Sequence, residues 1–258
     1  MTIFTIASYK FKAVFRGKIF RSIMASSFLM ILFSKALAFI SMGQDLKIII
    51  DFSLAAIDIF SMMLCLFIAS RLDNAKNLVD LYPVLVGPLP RWKYILGEYL
   101  GFAATLTGSM TIMSTLFLLF FWLNGGQIIW LMIAAIFMLW CGVLLLGAIA
   151  LFFSMITSSA TSAIFTLALF IYGRASFELK YLAHQCSGAV KQFLLLLYYA
   201  TPNFSYFDIK SAAVHNSYQA VRQFQMDASI FLWGPLYALL YIALLLYLSI
   251  LIFNKKNL

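Results

Sequence analysis

The chain has 258 residues, of which 64% are hydrophobic and only 10% are charged. Soluble domains carry about 45–50% apolar and about 25% charged residues, so this composition excludes a soluble globular domain and indicates a polytopic membrane protein. Eighteen Lys and Arg against nine Asp and Glu give a net charge of +9. The basic residues lie in short stretches between apolar runs, so membrane topology explains the excess and no nucleic-acid partner is expected.

Residues 1–21 precede the first long apolar run and carry apolar side chains at helical spacing. This pattern predicts an amphipathic helix in the cytoplasmic interface, with its lysines toward anionic lipid headgroups. The apolar positions are Ile3, Phe4, Ala7, Phe11, Val14 and Phe15. A simple membrane anchor is the alternative interpretation.

Six apolar segments are long enough to cross about 30 Å of hydrocarbon, which takes about 20 residues of helix. The predicted fold is therefore all-α, a single membrane domain with spans at 22–43, 52–70, 97–123, 128–153, 160–177 and 230–253. Ala36-Leu37-Ala38 resembles a signal-peptide cleavage site. The length of that apolar stretch and Lys35 within it favour a span instead.

Basic residues concentrate on one side of these predicted spans, which places both termini in the cytoplasm by the positive-inside rule. They are Lys10, Lys12, Arg16, Lys18, Arg21, Arg71, Lys76, Arg91, Lys93, Lys255 and Lys256. The expected location is a plasma membrane, as a multi-pass protein.

The predicted cytoplasmic connection, residues 71–96, combines a short helix with a rigid break. Asp73 is a plausible N-cap for a helix that continues to Tyr82. Pro83, Pro88 and Pro90 then restrict the backbone, because proline removes a donor and limits the preceding residue. Such a stiff connection suggests a surface presented to a partner, and an ordinary ordered loop is the alternative.

Small residues recur every three or four positions at the start of the third span, at Gly97, Gly101 and Gly108. A row of this kind lets a neighbouring helix approach closely. On the opposite side of the membrane, residues 178–229 are too long for a passive connector. They predict short helices lying on, or dipping into, the outer leaflet.

Three stretches resemble the type-2 membrane family of ABC exporter permeases, in particular the compact six-span permeases associated with export or copper-enzyme maturation. They are Pro88-Leu89-Pro90-Arg91-Trp92-Lys93-Tyr94-Ile95-Leu96-Gly97; Leu151-Phe152-Phe153-Ser154 with Thr157-Ser158-Ser159; and Tyr198-Tyr199-Ala200-Thr201-Pro202-Asn203 with Phe207-Asp208. Glu98 departs from the family's usual lysine after leucine-glycine, and a glycine-threonine pair is missing around 77–80.

The resemblance implies a permease subunit, in a bacterial inner membrane, that pairs with a second permease and with two cytoplasmic ABC ATPases. The helix Asp73–Tyr82 would dock in a groove on the ATPase, so ATP and Mg would be bound by that partner and not by this chain. The coupling residues would be Asp73, Leu78, Val79, Asp80, Leu81, Tyr82, Pro83, Pro88, Pro90 and Arg91. Independently of the resemblance, no G-x-x-x-x-G-K-[ST] phosphate loop occurs in the sequence.

Two charges lie well inside predicted spans, Lys35 in the first and Asp58 in the second. Their similar depth on consecutive helices suggests an ion pair, since an unpaired charge there costs about 2.5–3.5 kcal/mol. The alternative is that Lys35 extends to the interface while Asp58 faces water or a serine.

No catalytic, cofactor-binding or metal-binding residue is predicted, because His184, Cys186 and His215 lack ligand spacing. Two other functions stay open besides the permease. One is an ion-coupled carrier or membrane-embedded enzyme using Lys35 and Asp58. The other is a membrane assembly factor that transports nothing.

Overall fold

The computed structural model describes residues 3–40, 45–71, 90–176, 181, 185, 189–215 and 230–255, and all regular elements within these ranges are helical. In chain order they are α1 Ile3–Phe15, α2 Lys18–Ile40, α3 Asp45–Arg71, α4 Arg91–Leu123, α5 Trp130–Ile156, α6 Ser159–Arg174, α7 Ala189–Ala200, a 3-10 turn Phe204–Phe207, α8 Lys210–His215 and α9 Ile230–Lys255. The expectation of an all-α protein is confirmed for this part of the chain.

Five of these helices, α2, α3, α4, α5 and α9, are long and apolar enough to cross a membrane. The chain is therefore a multi-pass membrane protein. The span predicted at 160–177 corresponds to α6, which has 16 residues and a length of about 24 Å. That is short of a bilayer's hydrocarbon thickness. Six spans, and with them two termini on the same side, stay a prediction.

The helix α5 lies at the centre of the bundle, because its sequence is apolar on every face. It packs against α3, α4, α6 and α9, and 67% of its apolar stretch is buried. The corresponding share is 22% for both α2 and α9. These two outer helices therefore leave broad apolar faces for lipid or for another protein.

Many polar side chains within the bundle hydrogen-bond across helices or to their own backbone. The Trp140 indole N–H of α5 donates to the Thr107 hydroxyl of α4 over 3.0 Å. The Ser162 hydroxyl of α6 donates to the Ala150 carbonyl of α5 over 2.9 Å. Such contacts fix the relative position of helices whose apolar surfaces resemble the surrounding lipid.

The helix α1 packs along the first turns of α4 and touches α2 only slightly. The small residues of α4 make this contact possible. A Cβ added at Gly97 would lie 3.0 Å from Ile6 Cβ, and one at Gly101 would lie 2.9 Å from the Ala7 carbonyl oxygen. The glycine row of α4 thus lies beneath α1, which ends at a turn through Gly17 before α2 begins.

We expect Gly101→Ala to destabilise the protein and Gly108→Ala to leave it unchanged or slightly more stable. Alanine in a helix gains about 0.5–1 kcal/mol over glycine. At Gly101 the new methyl would lie 2.9 Å from backbone, and overpacking of this kind costs about 1–3 kcal/mol. At Gly108 it would meet only the Phe11 ring, with two ring atoms at 3.5 and 4.0 Å.

The measurement is the thermal unfolding midpoint of each purified variant in the same detergent. Proteolysis after Lys10 or Lys12 reports on α1 directly and should quicken only in Gly101→Ala. Equal midpoints for the two variants would contradict the close α1–α4 contact.

Candidate functional site

Four charged side chains meet inside the helical bundle, and we call Asp58, Arg174, Asp208 and Lys210 the charge cluster. Asp58 is 5% exposed, and its Oδ2 accepts from an Arg174 guanidinium nitrogen and, at 2.9 Å, from Lys210 Nζ. Arg174 also pairs with Asp208, whose carboxylate lies 3.7 Å from Lys210 Nζ. Two carboxylates and two cations balance, so the charge cluster has no net formal charge.

The charge cluster lies deep along the membrane-crossing direction. Asp58 is thirteen residues from either end of α3 (Asp45–Arg71), which places it about 20 Å from each end. A 30 Å hydrocarbon layer positioned anywhere along this helix would leave Asp58 well inside it. Charges at such a depth are rare and are paired with one another, as they are here.

Asp58 is thus paired, but not with Lys35. The Lys35 side chain is exposed on the outer face of α2, and no ion pair joins it to Asp58, both residues being described. The predicted Lys35–Asp58 pair is therefore wrong in its partner. The prediction compared depths only on the first two spans. It left out Arg174 and Lys210, which later parts of the chain bring to the depth of Asp58.

Lys210 reaches Asp58 because the chain turns back into the bundle after α7. The Pro202-Asn203 turn directs this return, and Asn203 makes several of its contacts. The Asn203 backbone N–H donates to the Tyr237 hydroxyl of α9 over 3.0 Å. Its Oδ1 accepts from the Ser176 hydroxyl at 2.6 Å and from the Ser205 backbone N–H at 2.9 Å. The turn is therefore held between the end of α6 and α9.

Two aromatic side chains of the 3-10 turn fill space left by glycines. Phe204 and Phe207 are each 2% exposed. A Cβ added at Gly173 would lie 2.5 Å from the Phe204 ring, and one at Gly142 would lie 3.2 Å from Phe207 Cβ. The absence of side chains on α5 and α6 at these points lets the returning segment sit against them.

The C-terminal end of the short α6 is held by contacts of its last residue, Arg174. The guanidinium carbon of Arg174 lies 5.1 Å from the centre of the Phe170 ring. Arg174 links α6 to α3 through Asp58 and to the returning segment through Asp208. The charge cluster can hold α3, α6 and α8 in one register. An anion entering it would compete with Asp58 for the same cations.

Sequence reasoning missed three of the four members of the charge cluster. Arg174 lies near the end of the predicted span 160–177, and Asp208 and Lys210 lie in the predicted outer segment 178–229, so no local pattern connects them to Asp58. The run Pro202-Asn203 followed by Phe207-Asp208 is one signal in the sequence for a buried Asp208. A turn can reverse the chain, and aromatic side chains that pack in the bundle bring the following carboxylate with them.

A second buried charge lies near the other end of the bundle. Glu98 on α4 is 2% exposed, and Lys10 Nζ of α1 lies 2.8 Å from its Oε1. This ion pair adds to the close packing of α1 on Gly97 and Gly101. In the sequence, Glu98 is distinguished only by its departure from the lysine usual in the family that the chain resembles.

Most of the predicted coupling residues lie outside the described residues. Pro90 and Arg91 are described, and α4 begins at Arg91 directly after Pro90. The others are Asp73, Leu78, Val79, Asp80, Leu81, Tyr82, Pro83 and Pro88. Their proposed role stays a prediction.

No group of three potential metal ligands occurs among the residues that the structure describes. Cys65 and Cys141 are buried thiols in α3 and α5. His184 and Cys186 lie outside the described residues, and His215 is the last residue of α8. Among the described residues, the charge cluster and the Lys10–Glu98 pair are buried ionic centres.

Together, the five long apolar helices and the two buried ionic centres define a multi-pass membrane protein. No protein-family model matches the sequence, and no curated protein matches it.

Proposed function

We propose that this chain is the permease subunit of an ATP-binding-cassette transporter, with export as the direction of movement. Separate cytoplasmic ATPase subunits would bind ATP and Mg. A second permease, either another copy or a related chain, would complete the pathway. The resemblance of residues 88–97, 151–159 and 198–208 to the type-2 permease family is the sequence basis for this proposal.

The contact between α1 and α4 is the structural observation that supports it most. The predicted coupling segment joins α3 to α4, and α4 is bound to α1 by close packing at Gly101 and by the Lys10–Glu98 ion pair. A force applied before Arg91 would therefore move α4 and α1 together rather than bend a loop. Transmission of this kind is what a membrane subunit without its own nucleotide site requires.

The charge cluster joins α3 to other parts of the bundle. Asp58, at mid-length of α3, pairs with Arg174 of α6 and Lys210 of α8. The coupling segment also connects to α3, at Arg71. Movement from the cytoplasmic side would thus reach α3 and α4 at once and shift them against the outer helices α2 and α9.

The test is co-purification of the tagged chain from its native membrane, with identification of any ABC ATPase that is retained. Replacing Leu78 and Tyr82 with Asp should abolish association, because two charges would replace the apolar side of the predicted coupling helix. Val190→Asp, an exposed apolar position in α7, is the matched control and should associate normally. Undiminished association of the double variant would overturn the proposal.

An ion-coupled carrier is the second candidate, and the depth of the charge cluster favours it. Buried ionisable residues in membrane helices often mark ion or proton pathways. This function would use Asp58 with Arg174 and Lys210 rather than with Lys35. It predicts ion-gradient-driven transport by the purified chain in vesicles without any ATPase, whereas the permease proposal predicts none.

A further inference from the structure

A small cavity lies beside Glu98, between α1, the end of α3 and the start of α4. Its volume is about 50 Å³, and Lys10, Ile68, Glu98, Phe102 and Thr105 are among its lining residues. Space for one water requires about 10–15 Å³ on this measure. The cavity is therefore large enough for a small polar group but too small for a drug-sized ligand.

The deep side of the cavity offers hydrogen-bond acceptors. Glu98 is 2% exposed, and neither of its carboxylate oxygens receives a well-directed hydrogen bond from a described residue. Thr105 is fully buried, and its hydroxyl hydrogen is donated to the Gly101 carbonyl over 2.9 Å. Its oxygen can therefore only accept a further bond. A donor group in the cavity can reach Glu98, and Thr105, seven residues and about 10 Å further along α4, is a separate acceptor.

The exposed side of the cavity offers a cation. The Lys10 side chain is 31% exposed, and its Nζ lies 2.8 Å from Glu98 Oε1. An ammonium group has three donors, so Lys10 can pair with Glu98 and with an anion at the same time. The arrangement of acceptors inside and a cation at the entrance is complementary to a zwitterion that enters with its positive end first.

The depth of Glu98 matches that of a lipid headgroup. The helix α4 has 33 residues and ends at Leu123, and counting about 20 residues back from there spans the hydrocarbon layer. Glu98 then lies about 8 Å beyond this layer, where headgroups are found.

We propose that this cavity, which we call the headgroup site, binds a phospholipid with a primary ammonium headgroup, as in phosphatidylethanolamine. The ammonium donates to Glu98, and the phosphate pairs with Lys10. A choline headgroup is excluded by chemistry, because its quaternary nitrogen has no N–H to donate. Quaternary ammonium is instead recognised by several aromatic faces, and among the described residues that line the cavity only Phe102 is aromatic.

The test uses the purified, delipidated chain in detergent, with phosphatidylethanolamine, its N,N-dimethyl derivative and phosphatidylcholine of identical acyl chains. We expect the unfolding temperature to rise with the first lipid, less with the second and not with the third. Native mass spectrometry should show one tightly retained phosphatidylethanolamine. Equal effects of the three lipids would overturn the proposal and leave the cavity to water.

Two variants locate the effect. Glu98→Gln keeps the shape of the side chain but removes its charge, and should weaken retention of phosphatidylethanolamine about tenfold, since a bond to a charged acceptor is lost. Asp51→Asn, an exposed carboxylate on α3, is the control and should retain the lipid normally. Should Glu98→Gln fail to fold, Glu98→Asp keeps the charge but draws the carboxylate back from the cavity, and it should also reduce the preference.

Soluble glycerophosphoethanolamine separates a lipid from a free headgroup. It should have little effect at concentrations where the lipid is retained, because it lacks acyl chains in the bilayer. A rise in unfolding temperature with this compound equal to that with the lipid would overturn the assignment to a lipid. The headgroup site does not depend on the proposed transport function, since every readout is binding to the isolated chain.

Discussion

Asp58→Asn is expected to lower the unfolding temperature of the purified protein by about 10 °C. Removing one partner of a buried ion pair costs about 3 kcal/mol or more, because the remaining charge stays buried without compensation. Here Arg174 and Lys210 would share Asp208 alone. A loss of about 1 kcal/mol corresponds to about 2–4 °C in a chain of this size.

A double variant with balanced charge distinguishes the effect of an unpaired buried charge from the effect of poor side-chain packing. Adding Lys210→Gln to Asp58→Asn restores neutrality and leaves the pair of Arg174 with Asp208. We therefore expect the double variant to be more stable than Asp58→Asn alone. The control is Asp51→Asn, because Asp51 lies two turns earlier on the same helix and is exposed. If Asp58→Asn unfolds at the same temperature as Asp51→Asn, the charge cluster contributes nothing to stability.

Gly173→Ala is expected to displace the returning segment. The added methyl would lie 2.6 Å from the Pro202 carbonyl oxygen and 2.5 Å from the Phe204 ring. A ring can rotate, but the carbonyl belongs to the backbone of a turn held by Asn203. The overpacking cost of about 1–3 kcal/mol exceeds the helical gain of about 0.5–1 kcal/mol, so we expect net destabilisation.

Cysteine cross-linking measures this displacement directly. In a background without the natural cysteines, Ser176 and Ser205, whose hydroxyl oxygens are 3.2 Å apart, are replaced by cysteine. Disulfide formation should be rapid in that background and much slower once Gly173→Ala is added. The same pair combined with Gly108→Ala, on another helix, should cross-link at the original rate. An unchanged rate with Gly173→Ala would show that the turn is not seated against α6.

The membrane-crossing helices were predictable from the sequence because their signal is local. The run that became α5 is apolar on every face, and α5 is the most buried of the five long helices. The boundaries were less accurate. The second span was predicted from residue 52, whereas α3 begins at Asp45, because Lys47 and Asp51 interrupt the apolar run without ending the helix.

The partners of buried charges were not predictable in the same way. Asp58 is separated by 116 residues from Arg174 and by 152 from Lys210, and no periodicity connects positions so far apart. The sequence favours Lys35 as the partner of Asp58 because it lies at a similar depth on the preceding predicted span. The structure differs because the Pro202-Asn203 turn brings a later part of the chain back into the bundle.

The sequence by itself determined that this protein crosses a membrane with several helices. A run of about 20 apolar residues forms a helix that matches the hydrocarbon thickness and is unfavourable in water. It also determined that glycines at the start of α4 would face a neighbouring helix. Only the tertiary structure decided that this neighbour is α1, that α6 ends at Arg174, and that Asp58 meets Arg174 and Lys210. Hydrophobic burial depends on local composition, whereas a buried charge selects whichever opposite charge the completed fold brings within reach.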